Sequence, residues 1–143
     1  MTVTIASFTV IGEPAPKGSM KHGRGKRLVA DNPRTDPWAE TVAWAARQAM
    51  GSREPWNGPV RVSVVYRMPR PKGHYKKDGT LRVWAPKWAD TAYDRDKLDR
   101  CLNDAMQGIV FTNDARNVSG DSDKVYVGLG EQPCAEIRVE ALR

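Results

Sequence analysis

The run Asp94-Arg95-Asp96-Lys97-Leu98-Asp99-Arg100 and the later pair Asn113-Asp114 hold the side chains whose types and spacing fit hydrolytic chemistry. Breaking a phosphodiester takes a Lewis acid that neutralises charge and an activated water. Mg²⁺ is the usual choice and takes hard oxygen ligands, commonly one or two carboxylates with water and phosphate completing its shell. Asp94 fits the cap of a helix and Asp96 its first turn, where the helix dipole favours ionised carboxylates. Asp114, on a turn after the next apolar segment, offers a third carboxylate that could converge on the same ion. A second reading fits the same spacing: Asp94 as a plain cap, Asp96 and Arg100 as an i, i+4 ion pair, and Asn113-Asp114 as an ordinary turn. Three carboxylates in one cleft of a protein with net charge +6 repel one another unless a cation joins them.

The elements that must position these acids are legible as periodicity. From Asp94 to Met106, Leu98, Cys101, Leu102, Ala105 and Met106 form one apolar helical stripe, so Asp96, Arg100 and Asn103 or Asp104 face the other way. Gly108 suits the end of that helix, and Ile109-Val110-Phe111 reads as a short buried strand or extended segment. Earlier, Asp36 reads as an N-cap with Pro37 at the first helical position, and Val42, Ala45, Ala46, Ala49 and Met50 recur at helical spacing before Gly51. Trp38 and Trp44 read as core. Strands are expected over Thr2–Ile11, over Pro59–Met68 with Val60, Val62, Val64 and Tyr66 on one face, and over Asp123–Gly130 and Ala135–Leu142. This order predicts an α+β fold, a mixed β-sheet with helices packed on one face, in a single domain over residues 1–143.

Two stretches, about 15–35 and 69–93, lack periodicity and are rich in Lys, Arg, Gly and Pro; they are read as flexible basic loops. A basic balance on a small domain favours an anionic partner, nucleic acid first. Lys17, Lys21, Arg24, Lys26 and Arg27 from the first stretch, Arg70, Lys72 and Lys76 from the second, and Lys97 beside the acids are the expected DNA contacts. An Asp-Gly turn at Asp78-Gly79 suggests a small hairpin arm. Tyr75, Trp84 and Trp88 fit either stacking on unpaired bases or packing under the stretch. His22 and His74 belong to no zinc pattern and read as exposed loop residues. Cys101 and Cys134 read as reduced core residues. With neither a signal-peptide core nor an apolar run of membrane-spanning length, the expectation is a cytoplasmic protein, in a bacterial or phage-infected cell, with no membrane partner.

The run Asp94-Arg95-Asp96-Lys97-Leu98, then Arg100, Asp104-Ala105-Met106, Gly108-Ile109-Val110-Phe111, Asn113-Asp114 and Val118, resembles the signature of the RusA-type Holliday junction resolvases. Gly12-Glu13-Pro14-Ala15-Pro16-Lys17-Gly18 resembles that family's G-x-P-x-P-K-G opening, and the match extends from Val10 to about Tyr126. The resemblance implies a RusA-like fold and a Mg²⁺-dependent, structure-specific DNA endonuclease, with Mn²⁺ as a possible substitute. It implies a homodimer that resolves four-way junctions by paired symmetric nicks in recombination and repair, in a family with many phage and prophage members. It carries the metal-binding, catalytic role onto Asp94, Asp96 and Asp114, and a catalytic role as the required basic residue onto Arg100. Lys124, before the aromatic Tyr126, joins the DNA contacts. The chain departs from the pattern in having Arg100 where Lys is frequent, Asn113 where Asp is frequent, Ala92-Tyr93 where Lys-Pro is common, and a long segment over 70–93. Two other readings stand beside this one: a broader branched-DNA or flap nuclease, and a non-catalytic DNA-binding module. The module explains the positive charge but not three acids set within it, and metal-dependent cleavage separates the two.

Overall fold

In β4 (Val60–Met68) every second residue is buried, the period of a strand with one face on a core. A computed structural model of the chain shows how that face is completed; it describes residues 2–18, 20–22, 28–30, 32–91 and 93–143, with only the backbone of 20–22 and 28–30. β7 (Cys134–Ala141) runs antiparallel to β4, pairing Val139 with Val62. On its other side β7 pairs antiparallel with β1 (Val3–Ile11), setting Ala135 against Val10. β6 (Ser122–Tyr126) lies parallel to β4, and β5 (Asn117–Ser119) pairs parallel near the start of the same strand. The sheet is therefore mixed and five-stranded. Gly120 joins β5 to β6 with φ +129°, and a Cβ there would stand 1.8 Å from the Val62 carbonyl oxygen; only glycine lets the chain turn this close to β4.

Helices α1 (Thr35–Met50) and α2 (Arg95–Met106) contact each other on one face of this sheet. Trp38, Val42, Ala46 and Met50 from α1, and Leu98, Cys101, Leu102 and Met106 from α2, close one core over Val62, Val64, Tyr66, Ile137 and Val139. Truncating a fully buried member such as Leu102 to Ala costs roughly 2–5 kcal/mol. The opposite sheet face is polar, with Ser63, Glu136 and Arg138 along a shallow cavity and Arg67 paired to Glu136 at 2.7 Å. This is the expected α+β arrangement with both helices on one face. Both cysteines are free and buried.

Several local expectations are corrected. Ile109-Val110-Phe111 is not a strand: Gly108 has φ +81°, and the amides of Ile109 and Val110 both donate to the Met106 carbonyl. The run is apolar because Val110 and Phe111 plug the end of α2. α1 begins two residues early, at Thr35, whose buried hydroxyl donates to the Pro16 carbonyl at 2.7 Å, so Asp36 lies in the first turn instead of capping it. Trp44 is 62 % exposed because the buried stripe passes through Trp38, Val42 and Ala46, leaving position 44 on the outer side. β5 is too short to show alternation, and periodicity does not reveal it. The first basic stretch contains an antiparallel pair, β2 (Met20–His22) with β3 (Leu28–Ala30).

Candidate active site

Asp94 occupies the N-cap position of α2 with extended backbone, and its carbonyl accepts from the amides of Lys97 and Leu98. Its side chain makes no capping hydrogen bond. The carboxylate is left outside the helix, 70 % exposed and 3.5 Å from the Lys97 ammonium. Asp96 is exposed in the first turn. Before them stands Tyr93 with φ +65°, the one described non-glycine residue in the left-handed region. Such a conformation costs on the order of 1–3 kcal/mol and persists only where neighbours hold it. Here Lys124 of β6 donates to the Tyr93 carbonyl at 2.6 Å and to the Thr91 carbonyl at 3.2 Å, while Asn32 donates to the Tyr93 hydroxyl at 3.1 Å. These contacts fix the direction in which the chain enters α2, and hence where Asp94 points.

Around that corner lies a cavity of about 560 Å³ lined by Asp90, Asp94, Asp96 and Asp99, with Arg95 and Lys124. Asp99 carries no role in the sequence reading. It is half-buried, and both of its oxygens accept hydrogen bonds: from the Tyr66 hydroxyl at 2.6 Å and the Ser122 hydroxyl at 2.9 Å. Burial, and then the neighbouring Asp99 charge, push the Tyr66 hydroxyl far above its ordinary pKa, so it remains a donor. Asp99 thus bolts α2 to β4 and β6. One hint of this is present in the sequence. Asp99 borders the apolar stripe of α2, and Tyr66 on the buried face of β4 needs a partner for its hydroxyl.

Asp114 is elsewhere. It opens a 3-10 turn (Asp114–Arg116) whose Asn113 side chain accepts from the Ala115 amide, and its own amide donates to Gln107 Oε1 at 2.8 Å. From there the chain runs back along α2. Asn117 bonds Asn103 at 3.1 Å, then Ser122 bonds Asp99, and the Ser122 carbonyl accepts from Arg95 at 3.0 Å. Asp114 therefore sits at the C-terminal end of a 12-residue helix, about 18 Å long at 1.5 Å per residue, whereas Asp94 and Asp96 sit at the N-terminal end. The expectation that all three carboxylates share one cleft of one chain is not met, and among the described residues no three Asp, Glu, His or Cys side chains form a ready cluster for a metal. Asp94 and Asp96 alone suit a hard cation that keeps most of its water.

Arg100 is exposed on the outward face of α2, as is Asp96. Among the described residues neither belongs to an ion pair, so the plain Asp96–Arg100 bridge does not form. Asp104 turns to the other flank, where it pairs with Lys17 at 2.7 Å and its hydrogen bond holds the Lys17 ammonium above the usual lysine range. Lys17 thereby ties the Pro16–Gly18 segment to α2, helped by its amide donating to the Lys97 carbonyl. Arg24, Lys26 and Arg27 lie outside the described residues, as does the side chain of Lys21.

Arg70, a predicted phosphate contact, donates to the carbonyls of Val127 and Pro86 at 2.6 and 2.7 Å and lies over the Tyr126 ring. His74, expected exposed, is half-buried with its ring edge-on to both Trp84 and Tyr126. Lys72 and Lys76 are exposed.

The sequence model of the RusA endodeoxyribonuclease family matches residues 12–140 of the 143-residue chain. A search of curated proteins finds no match.

Proposed function

Because this chain belongs to the RusA endodeoxyribonuclease family, we propose that it is a Mg²⁺-dependent resolvase, acting in the cytoplasm as a homodimer that nicks two opposed strands of a four-way DNA junction. The observation that carries the reading is the acidic cavity at the start of α2, where Asp94 and Asp96 project from a strained, fastened corner. Its donors are carboxylate oxygens, the ligand type of Mg²⁺ and Mn²⁺. When bound, such an ion supplies Lewis acidity to the scissile phosphate. The chain's own residues supply the rest. Asp94 and Asp96 hold the cation at the positive end of α2. Lys124 keeps the carbonyls of Thr91 and Tyr93 in place behind them. Arg100, one turn beyond Asp96 and engaged in no ion pair with the described residues, meets the phosphate whose charge grows during attack.

The position of Asp114 supports the dimer. In a two-fold pair with α2 helices antiparallel, the C-terminal end of one meets the N-terminal end of the other, and Asp114 completes the carboxylate set across the interface. Isologous pairing is the commonest form of association, and it yields two equivalent sites for two nicks.

The test is cleavage of a synthetic four-way junction beside matched duplex, flap and single strand, with Mg²⁺, Mn²⁺ or EDTA. Symmetric paired nicks in the junction alone, lost in EDTA, are expected. Equal cutting of flaps would broaden the substrate class, and junction binding without metal-dependent cutting would leave a binding module.

A further inference from the structure

The segment over 70–91 is not an irregular loop but a built arm. A 3-10 turn (Lys72–His74) leads into a hairpin closed by the Lys76 amide on the Thr80 carbonyl at 2.7 Å and by a bridge between Tyr75 and Leu81. The Arg82 amide returns to the His74 carbonyl at 2.9 Å, and Arg70 braces the inside. Residues 87–89 then pair with the edge of β6: the Ala89 amide donates to the Lys124 carbonyl and the Tyr126 amide to the Lys87 carbonyl. The arm's outer surface is unusual in composition. Val83, Trp84 and Trp88 are 100, 63 and 55 % exposed, among five exposed cations, Lys72, Lys76, Lys77, Arg82 and Lys87. Among the described residues none of the five is in an ion pair. Within the arm, Asp78 is turned into its own hairpin, accepting from the Thr80 amide and hydroxyl.

We propose that this arm is a single-strand platform: Trp84 and Trp88 stack on bases unpaired at the branch point, and the surrounding lysines hold the adjoining phosphates, while Arg82 donates from Nε to the Gly73 carbonyl at 3.1 Å and braces the hairpin. Lys87 covers one face of Trp88, its ammonium 5.0 Å from the ring centroid, and His74 packs edge-on to Trp84, which leaves each indole more than half exposed. Indole rings so exposed beside cations that no acid neutralises match a ligand that is flat and apolar in one part and anionic in the next, as a single nucleic-acid strand is. The platform also adjoins the acidic cavity. Trp88 is followed by Ala89, which enters the core, and then by Asp90 and Thr91, which stand at the cavity. Two extended residues span about 7 Å, so a strand crossing the cavity passes the indole. The proposal takes its ligand from the nuclease reading but requires no catalysis.

The experiment uses the full chain in EDTA and measures binding of oligothymidine, of duplex, and of a four-way junction carrying 2-aminopurine at the branch. Trp84→Ala and Trp88→Ala are each expected to weaken oligothymidine binding roughly fivefold or more, with duplex affinity changed less than about twofold. The Phe variants, which keep an aromatic face and spare the arm's fold, are expected to recover most of the loss. Wild-type protein quenches 2-aminopurine, and the Ala variants do not. Oligothymidine affinity unchanged in the Ala variants overturns the proposal. So does loss of duplex and single-strand binding in equal measure, or loss of dimerisation with DNA binding intact, which would mark a protein interface. Failure of junction cleavage with these binding results intact would sink the nuclease reading alone.

Discussion

The start of α2 and the arm that precedes it treat charge in opposite ways. At the helix, Asp90, Asp94, Asp96 and Asp99 surround one cavity, and the cations beside them are already engaged: Lys124 and Arg95 with the backbone carbonyls of Thr91, Tyr93 and Ser122, and Lys97 with Asp94. On the arm six cations stand against two acids between residues 70 and 91, and one of those acids, Asp78, is held below its usual range by Thr80. An acidic cleft repels the polyanion it is meant to cut, so attraction has to come from elsewhere on the surface. The contrast separates chemistry from capture: substitutions at the cavity should move rates, and substitutions on the arm should move affinities.

The largest effect expected at the cavity is from Asp94→Asn or Asp96→Asn. Each removes a charge while keeping shape, and single-turnover junction cleavage should fall roughly 10²-fold or more, with junction affinity in EDTA unchanged or slightly improved. A variant that cleaves near the wild-type rate removes that residue from the metal site. Arg100→Ala should slow single-turnover cleavage at least about tenfold without altering junction binding, and Arg100→Lys should retain much of the rate. A fall in affinity with no fall in rate would move Arg100 into the capture group.

Tyr66→Phe tests the bolt that holds the start of α2 to β4. It removes the donor from one Asp99 oxygen, and a hydrogen bond to a charged acceptor is worth roughly 1.5–3 kcal/mol. Urea unfolding should show a loss of that size, and an unchanged midpoint would mean that Asp99 finds another donor. Smallest per residue, Lys72→Gln, Lys76→Gln and Lys77→Gln should weaken binding to every DNA alike. For every lysine that holds a duplex phosphate, its substitution should lower the slope of log affinity against log salt by about 0.9. A flat response would show that the hairpin faces away from DNA.

Much of the scaffold could be read from periodicity alone. β4 and β7 alternate, and α2 carries its apolar stripe, because burial acts on every second or every third and fourth residue. Asp94 and Asp96 were legible as a pair because both belong to one helix start. The separation of Asp114 from them was not, since it depends on residues 114–122 returning along α2, a path set by side-chain pairs such as Asn117 with Asn103 and Ser122 with Asp99. Ile109-Val110-Phe111 misled because a short apolar run is buried whether it is a strand or a plug. The bracing role of Arg70 left no trace in the sequence because a guanidinium serves carbonyls as well as phosphate, and composition does not distinguish the two. The hairpin at the arm's tip was legible in the Asp78-Gly79 turn, whereas its attachment to β6 was hidden in backbone hydrogen bonds that leave no periodic trace.

β6 belongs to both regions. Its residues 124–126 pair on one side with the root of the arm, and Lys124 reaches past that seam to the carbonyls behind Asp94. A displacement of the arm's root is therefore expected to reach the corner that aims the carboxylates. If a cation and an oligonucleotide bind as proposed, thermodynamic linkage joins them: whatever factor an oligonucleotide seated on the arm adds to cation affinity, the cation must return to oligonucleotide affinity. Titrating Mg²⁺ in the presence and absence of oligothymidine, and the reverse, measures one coupling constant from two directions. A Lys124→Met chain, with the strap gone and β6 still paired, should bring that constant toward one.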